Sequence, residues 1–235
     1  MNLTCVSTFF KVKNKYTYDK YIEWFQYTLD INCPYVFFAN KEGIELIKPF
    51  RKDYPTYYIE CEIEDFVTYS YKDRMITHPI HCPSIELNLI WNEKIFMLQK
   101  AKNLNPFQTD WFKWIDAGIN IYRNKKLPQN ILPLIVANKL DKLPTNKLIY
   151  TSSESYKPKK VTKNNYCHHI SAGTFIIHKN AIDNFATIYK HYLDIIDKNN
   201  IWTEQVILTH IYKKHPKIFY KLCDGYGKIV SYLFE

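Results

Sequence analysis

The chain reads as an α/β domain on a mixed, mostly parallel sheet flanked by helices. Short apolar runs bounded by turn residues alternate with stretches of helical spacing, the pattern of a parallel sheet covered by helices. The aromatic run Trp111-Phe112-Lys113-Trp114-Ile115 ends abruptly in Asp116, with Gly118 two residues on, as a buried strand does when its exposed carboxyl end carries the polar group. The 235 residues, 46% of them hydrophobic, suit one globular domain with a substantial core, residues 1–235.

The elements follow in order. Residues 3–10 read as a first strand, and 18–29 as a helix with Tyr18, Ile22, Phe25 and Leu29 on one face. Residues 34–39 and 57–63 read as buried strands, separated by a short helix over 41–52 that Pro49 should break. Ser84 is a good N-cap, with Glu86 in the first turn of a helix reaching about residue 101. Within that helix Asn88 and Asn92 share a face. After the Asp116 strand, residues 124–165 are rich in Pro, Lys, Asn and Ser. They read as a long loop that could act as a lid, with strand-like runs at 132–136 and 147–150. Residues 169–177 read as a strand with Gly173 inside it, where glycine marks a bulge or a close approach. Asn180 should cap a helix to 197, and Thr203 another over 204–213. A last strand at 218–222 leads into Cys223-Asp224-Gly225-Tyr226-Gly227-Lys228.

The formal charge is +9, from 32 Lys and Arg against 23 Asp and Glu. Such a surface attracts phosphates, nucleic acid or anionic lipid, and it suits an enzyme that binds a diphosphate. The densest patch, Lys157, Lys159, Lys160 and Lys163, reads as a solvated loop. The 20 tyrosines allow a rival reading, a basic nucleic-acid-binding module with stacking platforms. Most of them fall inside expected strands and amphipathic helices, which favours core use and no nucleic-acid partner. The richness in Lys, Asn, Ile and Tyr is the bias of an AT-rich genome, microbial or of a large DNA virus.

None of the six cysteines forms Cys-x-x-Cys. His78-Pro79-Ile80-His81-Cys82 and Cys167-His168-His169 resemble zinc fragments but fit no standard finger spacing. The first residues lack a basic start and a long apolar core, and no run approaches the ~20 apolar residues of a membrane span. A reducing, cytoplasmic setting without a membrane span is the expectation. No Gly-rich phosphate loop is present, which argues against kinases and dehydrogenases.

Several segments together resemble the HtrL/YibB group, which is related to nucleotide-sugar glycosyltransferases of the GT-A type. They are Asn105-Pro106-Phe107 with Trp111 through Ile119, Trp91-Asn92-Glu93-Lys94, Ser171-Ala172-Gly173-Thr174-Phe175 and Trp202-Thr203-Glu204-Gln205. They occur in the family's order over most of the chain. The resemblance implies a GT-A-like, Rossmann-like fold. It also implies transfer of a hexose from a nucleotide sugar, a UDP-sugar, to a hydroxyl on a glycan or glycoprotein; a collagen-type glycan is one option. One departure stands out. GT-A enzymes mostly carry Asp-x-Asp after this strand, and here Gly118 occupies the second Asp position.

Transfer from a nucleotide sugar needs a neutralised diphosphate, a held sugar and an activated acceptor hydroxyl. Mn²⁺ or Mg²⁺ on carboxylates commonly meets the first need. Asp116 is the first candidate for metal or ribose, against a purely structural turn role. Asp224, at a strand end, could supply the second metal ligand, or simply make an Asp-Gly turn. Lys94 and Lys228 could screen the diphosphate, or be ordinary surface lysines. The resemblance places a catalytic or acceptor-binding acid at Glu204, beside Gln205, although the helix dipole alone would explain a glutamate there. Thr8 and Phe9 at the first strand's end would contact uracil and ribose, with Asn92 and Gly173 completing the donor site as the resemblance implies. A degenerate protein that binds a sugar nucleotide or glycan without turnover remains a further alternative.

Overall fold

The computed structural model describes residues 2–119, 131–153, 169–196 and 200–235. Residues 124–130 and 154–165 of the expected lid lie outside the described residues. So do the lysine patch at Lys157 to Lys163 and the fragment Cys167-His168.

Seven described strands form one sheet: β1 (Leu3–Thr8), β2 (Tyr35–Ala39), β3 (Thr56–Glu60), β4 (Trp111–Ile115), β5 (Leu148–Ser152), β6 (Thr174–His178) and β7 (Phe219–Asp224). Their order is β3-β2-β1-β4-β6-β5-β7. β3, β2, β1 and β4 run parallel, β6 runs antiparallel to both β4 and β5, and β7 is parallel to β5. This is the mixed, mostly parallel sheet flanked by helices that was expected.

The helices are α1 (Tyr18–Thr28), α2 (Lys41–Arg51), α3 (Ile85–Leu104), α4 (Pro133–Leu140), α5 (Lys179–Ile195), α6 (Glu204–Lys214) and α7 (Lys228–Phe234). They divide between two cores, one on each face of the sheet. Strand side chains alternate between the faces, so neighbours in sequence join opposite cores. Val6, Phe112, Trp114, Phe175 and Ile177 pack with residues of α3, α5 and α6. Cys5, Trp111, Ile115 and Ile176 pack with residues of α1, α2, α4 and α7. β1, β2, β4, β5 and β6 are therefore buried on both faces, as expected of strands covered by helices on each side.

The long helix α3 matters most for the site. The Ser84 side chain accepts from the Leu87 N–H and caps it, while Asn105 in the left-handed region ends it at Leu104, a turn beyond the expected end. The helix is buried on several sides, including its polar members Asn88, Asn92, Glu93 and Lys94.

Other elements depart from expectation. α2 runs through Pro49 without a break. Ile44 and Ile47 bury its apolar face, and the fully buried Arg51 at its end binds the Leu29, Ile31 and Cys33 carbonyls. Those anchors outweigh the single helical bond that proline removes so near the terminus. The expected strand at 132–136 is the start of α4, with Pro133 in its first turn. β6 begins only at Thr174, because Ser152 pairs with Ile170 and a turn intervenes, leaving Gly173 just outside the strand. His178, not Asn180, caps α5 by accepting from the Asn180 N–H. Three described 3₁₀ segments, Ile63–Asp65, Val67–Arg74 and Pro216–Ile218, and the helix α7 were not expected.

Candidate active site

Parallel pairing of β1 with β4 brings their carboxyl ends side by side, from Cys5↔Lys113 to Val6↔Trp114. A cavity of about 240 Å³ opens there. Thr8 and Phe9 line it from β1 and just beyond, Lys15 and Tyr21 from the following segment and α1, Trp91 and Lys94 from α3, Asp116 to Ile119 from the end of β4, and Tyr226 from the turn after β7.

Lys94 and Asp116 at its floor join Glu204, which does not line the cavity, in a charged triad. The Lys94 ammonium, 2% exposed, donates to Asp116 Oδ1 at 2.9 Å, to Glu204 Oε1 at 2.7 Å and to the Ala172 carbonyl at 3.1 Å. Its amine also lies 5.4 Å from the centre of the Trp114 ring. Burial pulls the lysine's pKa down, but Asp116 and Glu204 outweigh that and leave it raised. Glu204, 5% exposed in the first turn of α6, is pushed up by burial despite Lys94. Glu204 Oε2 is buried without a hydrogen-bond partner among the described residues.

Asp116 is the open end of the triad, its side chain 32% exposed. Trp114 Nε1 donates to its Oδ1 at 2.7 Å, and its backbone N–H reaches the Gly173 carbonyl at 2.8 Å. Gly173 is a true close approach: a Cβ there would sit 2.4 Å from the Tyr226 hydroxyl oxygen and 3.3 Å from Asp116 Oδ2. Tyr226 comes from beyond the far edge of the sheet, in a turn flanked by Gly225 at φ +119° and Gly227 at φ +72°. Thus Tyr226 and Asp116 flank the same glycine.

The remaining expected site residues sit as follows. Thr8 lines the cavity but donates its hydroxyl to the Phe38 carbonyl at 2.8 Å, and Phe9 packs edge-on against Phe25. Asn92 is fully buried behind the cavity, donating to Asn88 and the Trp202 carbonyl while accepting from the Tyr189 hydroxyl. The Gln205 amide donates to the Ile170 carbonyl. The Lys228 stem packs over Gly225. Asp224 bonds Ser152 and Lys221, which hold its carboxyl below the usual range.

Sequence reasoning missed Lys15, Tyr21 and Tyr226. Tyr226 had a signal, its two flanking glycines. Lys15 and Tyr21 had none, since only the tertiary fold brings them to the cavity.

The described residues do not fit a two-carboxylate Mn²⁺ or Mg²⁺ site. Asp116 Oδ1 is taken by a lysine and an indole N–H, and Asp224 is bonded elsewhere. Gly118 has no side chain, and a Cβ there would meet Tyr21 Cδ1 at 2.8 Å. No group of three His, Cys, Asp or Glu among the described residues could hold a metal. His78 and His81 form a small turn, in which His78 Nδ1 accepts from the Ile80 and His81 N–H groups. No helix among the described residues is long and apolar enough to cross a membrane.

Comparison with solved structures gives a glycosyltransferase involved in the glycosylation of the major capsid of PBCV-1, at 15% identity and TM-score 0.46, covering 95% of this chain and 81% of that one. The glycosyltransferase GlyE of Streptococcus pneumoniae matches at 13% identity and TM-score 0.48; the likeness covers 93% of this chain but only 44% of GlyE. A 4-diphosphocytidyl-2C-methyl-D-erythritol synthase from Anaerococcus prevotii matches at 13% identity and TM-score 0.47, covering 95% of this chain and 89% of the other. A search of the curated proteins finds no match. The family model described as a bacterial protein of unknown function, HtrL/YibB, matches residues 56–231, three quarters of the chain, and the protein belongs to that family.

Proposed function

We propose that this protein is a glycosyltransferase that moves a hexose from a nucleotide sugar, a UDP-sugar, to a hydroxyl of a glycan or glycoprotein. The observation that carries the reading is the Lys94 ammonium clamped between Asp116 and Glu204 at the floor of a cavity. The cavity lies at the carboxyl ends of parallel strands, where open α/β sheets take ligands. A buried lysine tied to two acids is expensive to keep unless the site uses the arrangement.

In this reading Asp116 accepts a hydroxyl of the donor's ribose or sugar through Oδ2, while Lys94 and Trp114 fix its other oxygen. Phe9 and Tyr21 offer rings to the base. Among the described lining residues Asp116 is the only carboxylate. Glu204 lies behind Lys94, so the acceptor's proton goes to the departing phosphate. A bond forms between the acceptor oxygen and the anomeric carbon as the bond from that carbon to the phosphate oxygen breaks.

The test is release of UDP from a panel of UDP-hexoses, with and without oligosaccharide acceptors. Release above the rate of an Asp116→Asn variant supports transfer. A second reading, a sugar-nucleotide-binding protein without turnover, is favoured by the burial of Glu204 away from the cavity. Binding of UDP without any release would establish it. Absence of both binding and release for every nucleotide sugar would remove both readings.

A further inference from the structure

The diphosphate of a nucleotide donor carries negative charge into a cavity whose floor is itself acidic. Lys94 cannot answer it, because Asp116 and Glu204 already neutralise its ammonium. The described carboxylates do not assemble a divalent-cation site. Lys228 lies folded over Gly225. One described cation remains on the cavity wall. The Lys15 ammonium sits 4.7 Å over the Trp91 ring, within electrostatic reach of both Asp116 and Glu204.

The segment that presents it is tied down on both sides. The Ser84 hydroxyl donates to the Lys13 carbonyl at 2.8 Å, and the Tyr21 hydroxyl donates to Asn14 Oδ1 at 2.6 Å. The Asn14 side chain also accepts from the Lys15 N–H. The protein around the exposed Lys15 lowers its pKa by desolvation although the two acids oppose that.

We propose that Lys15, rather than a divalent ion, neutralises the diphosphate of the nucleotide donor, with Trp91 holding the ammonium in place. The inference rests on the nucleotide-sugar reading above. Lys15 is a point charge on a flexible stem, suited to a phosphate pair whose geometry changes as the bond to the sugar breaks.

Calorimetric titration of the full chain with UDP and with uridine tests it, in EDTA and again in Mn²⁺. UDP should bind in EDTA, with Mn²⁺ tightening it less than about threefold. Lys15→Met should weaken UDP by ~10–100-fold, the loss of one charge-assisted contact, and leave uridine unchanged. Lys15→Arg, which keeps the charge, should restore most of the affinity. Lys15 is on the surface, and thermal melting of each variant confirms folding. UDP binding only with Mn²⁺, or equal UDP affinity in wild type and Lys15→Met, overturns the proposal while the nucleotide reading stands. Binding of neither UDP nor uridine under any condition overturns both.

Discussion

Glu204 Oε1 lies 2.7 Å from the Lys94 ammonium, while its second oxygen is buried with no described hydrogen-bond partner. The glutamate therefore acts on Lys94, and through Lys94 on Asp116. Lys94 is the main support of its charge, with a smaller pull from Lys15, since a buried carboxylate otherwise tends to take a proton.

Lys94→Met should accordingly destabilise the fold by ~3–5 kcal/mol at neutral pH, the cost of leaving one member of a buried ion pair alone. The double variant Lys94→Met, Glu204→Gln should lose less than the sum of the single losses, because the stranded charge is gone. Urea denaturation of all four proteins measures the coupling. Strictly additive losses would mean that the pair contributes no mutual stabilisation.

Gly173→Ala separates site from scaffold. The added methyl meets the tip of Tyr226 rather than backbone, and a ring on a glycine-flanked turn can swing away. Stability should change by less than ~1 kcal/mol, within the range of substitutions that disturb no packed core. UDP affinity should fall at least severalfold, because Tyr226 lines the cavity and would be displaced. A variant with wild-type UDP binding and a crystallographically unmoved Tyr226 would show that the close approach has no part in binding.

Much of the scaffold was legible in the sequence. Strands β1, β2 and β4 announce themselves as short apolar runs, because both faces of a parallel sheet are buried. Ser84 announces α3 through its cap. What misled was local rule against tertiary anchor. Pro49 suggested a break, but Arg51 secures the helix end with backbone carbonyls from a different segment. Leu132 to Val136 looked β-like, although Pro133 at a helix start was the better signal. Asp116 was legible from its place after an aromatic strand. The role of Lys94 was not, since its partners lie far along the chain at Ala172 and Glu204. No local pattern records such a meeting.

Gly118 stands where a second carboxylate would complete Asp-x-Asp, and restoring it should fail. Its neighbour, the Tyr21 ring, packs at 5.3 Å against Trp24 and is held by its hydroxyl on Asn14. Gly118→Asp should therefore cost ~1–3 kcal/mol by overpacking. It should gain no Mn²⁺-dependent tightening of UDP. Melting and calorimetry in Mn²⁺ check both halves. A stable variant with new metal-dependent binding would show that Tyr21 yields and that only the missing carboxylate kept metal out.

Lys113 offers a test of the core beneath the site. It is fully buried in β4, in register with Cys5, and its amine has no hydrogen-bond partner among the described residues. The ring of Phe234 lies 4.5 Å from it. Burial lowers its pKa from 10.5 to about 8, against a smaller opposing pull from Cys5 and Cys33. Below about pH 8 folded and unfolded chains both hold the proton, and the fold bears the full cost of a buried cation. Between about 8 and 10.5 the unfolded chain keeps its proton while the fold has released it, so the Lys113 contribution to stability rises with pH. The drop corresponds to ~3 kcal/mol. Lys113→Met, similar in volume, should thus be more stable than wild type at pH 7, and the gap should close as pH approaches 10.5. The raised pKa values of Cys33 and Tyr35 work in the opposite sense at high pH; because Lys113 itself draws the Cys5 and Cys33 thiols down, the difference between the two proteins reports Lys113 together with its pull on those thiols. Urea unfolding of the pair at intervals from pH 6 to 10.5 gives the profile. A gap that does not vary with pH, or a variant less stable than wild type at pH 7, would show that Lys113 keeps its proton in the fold and is stabilised by the Phe234 ring.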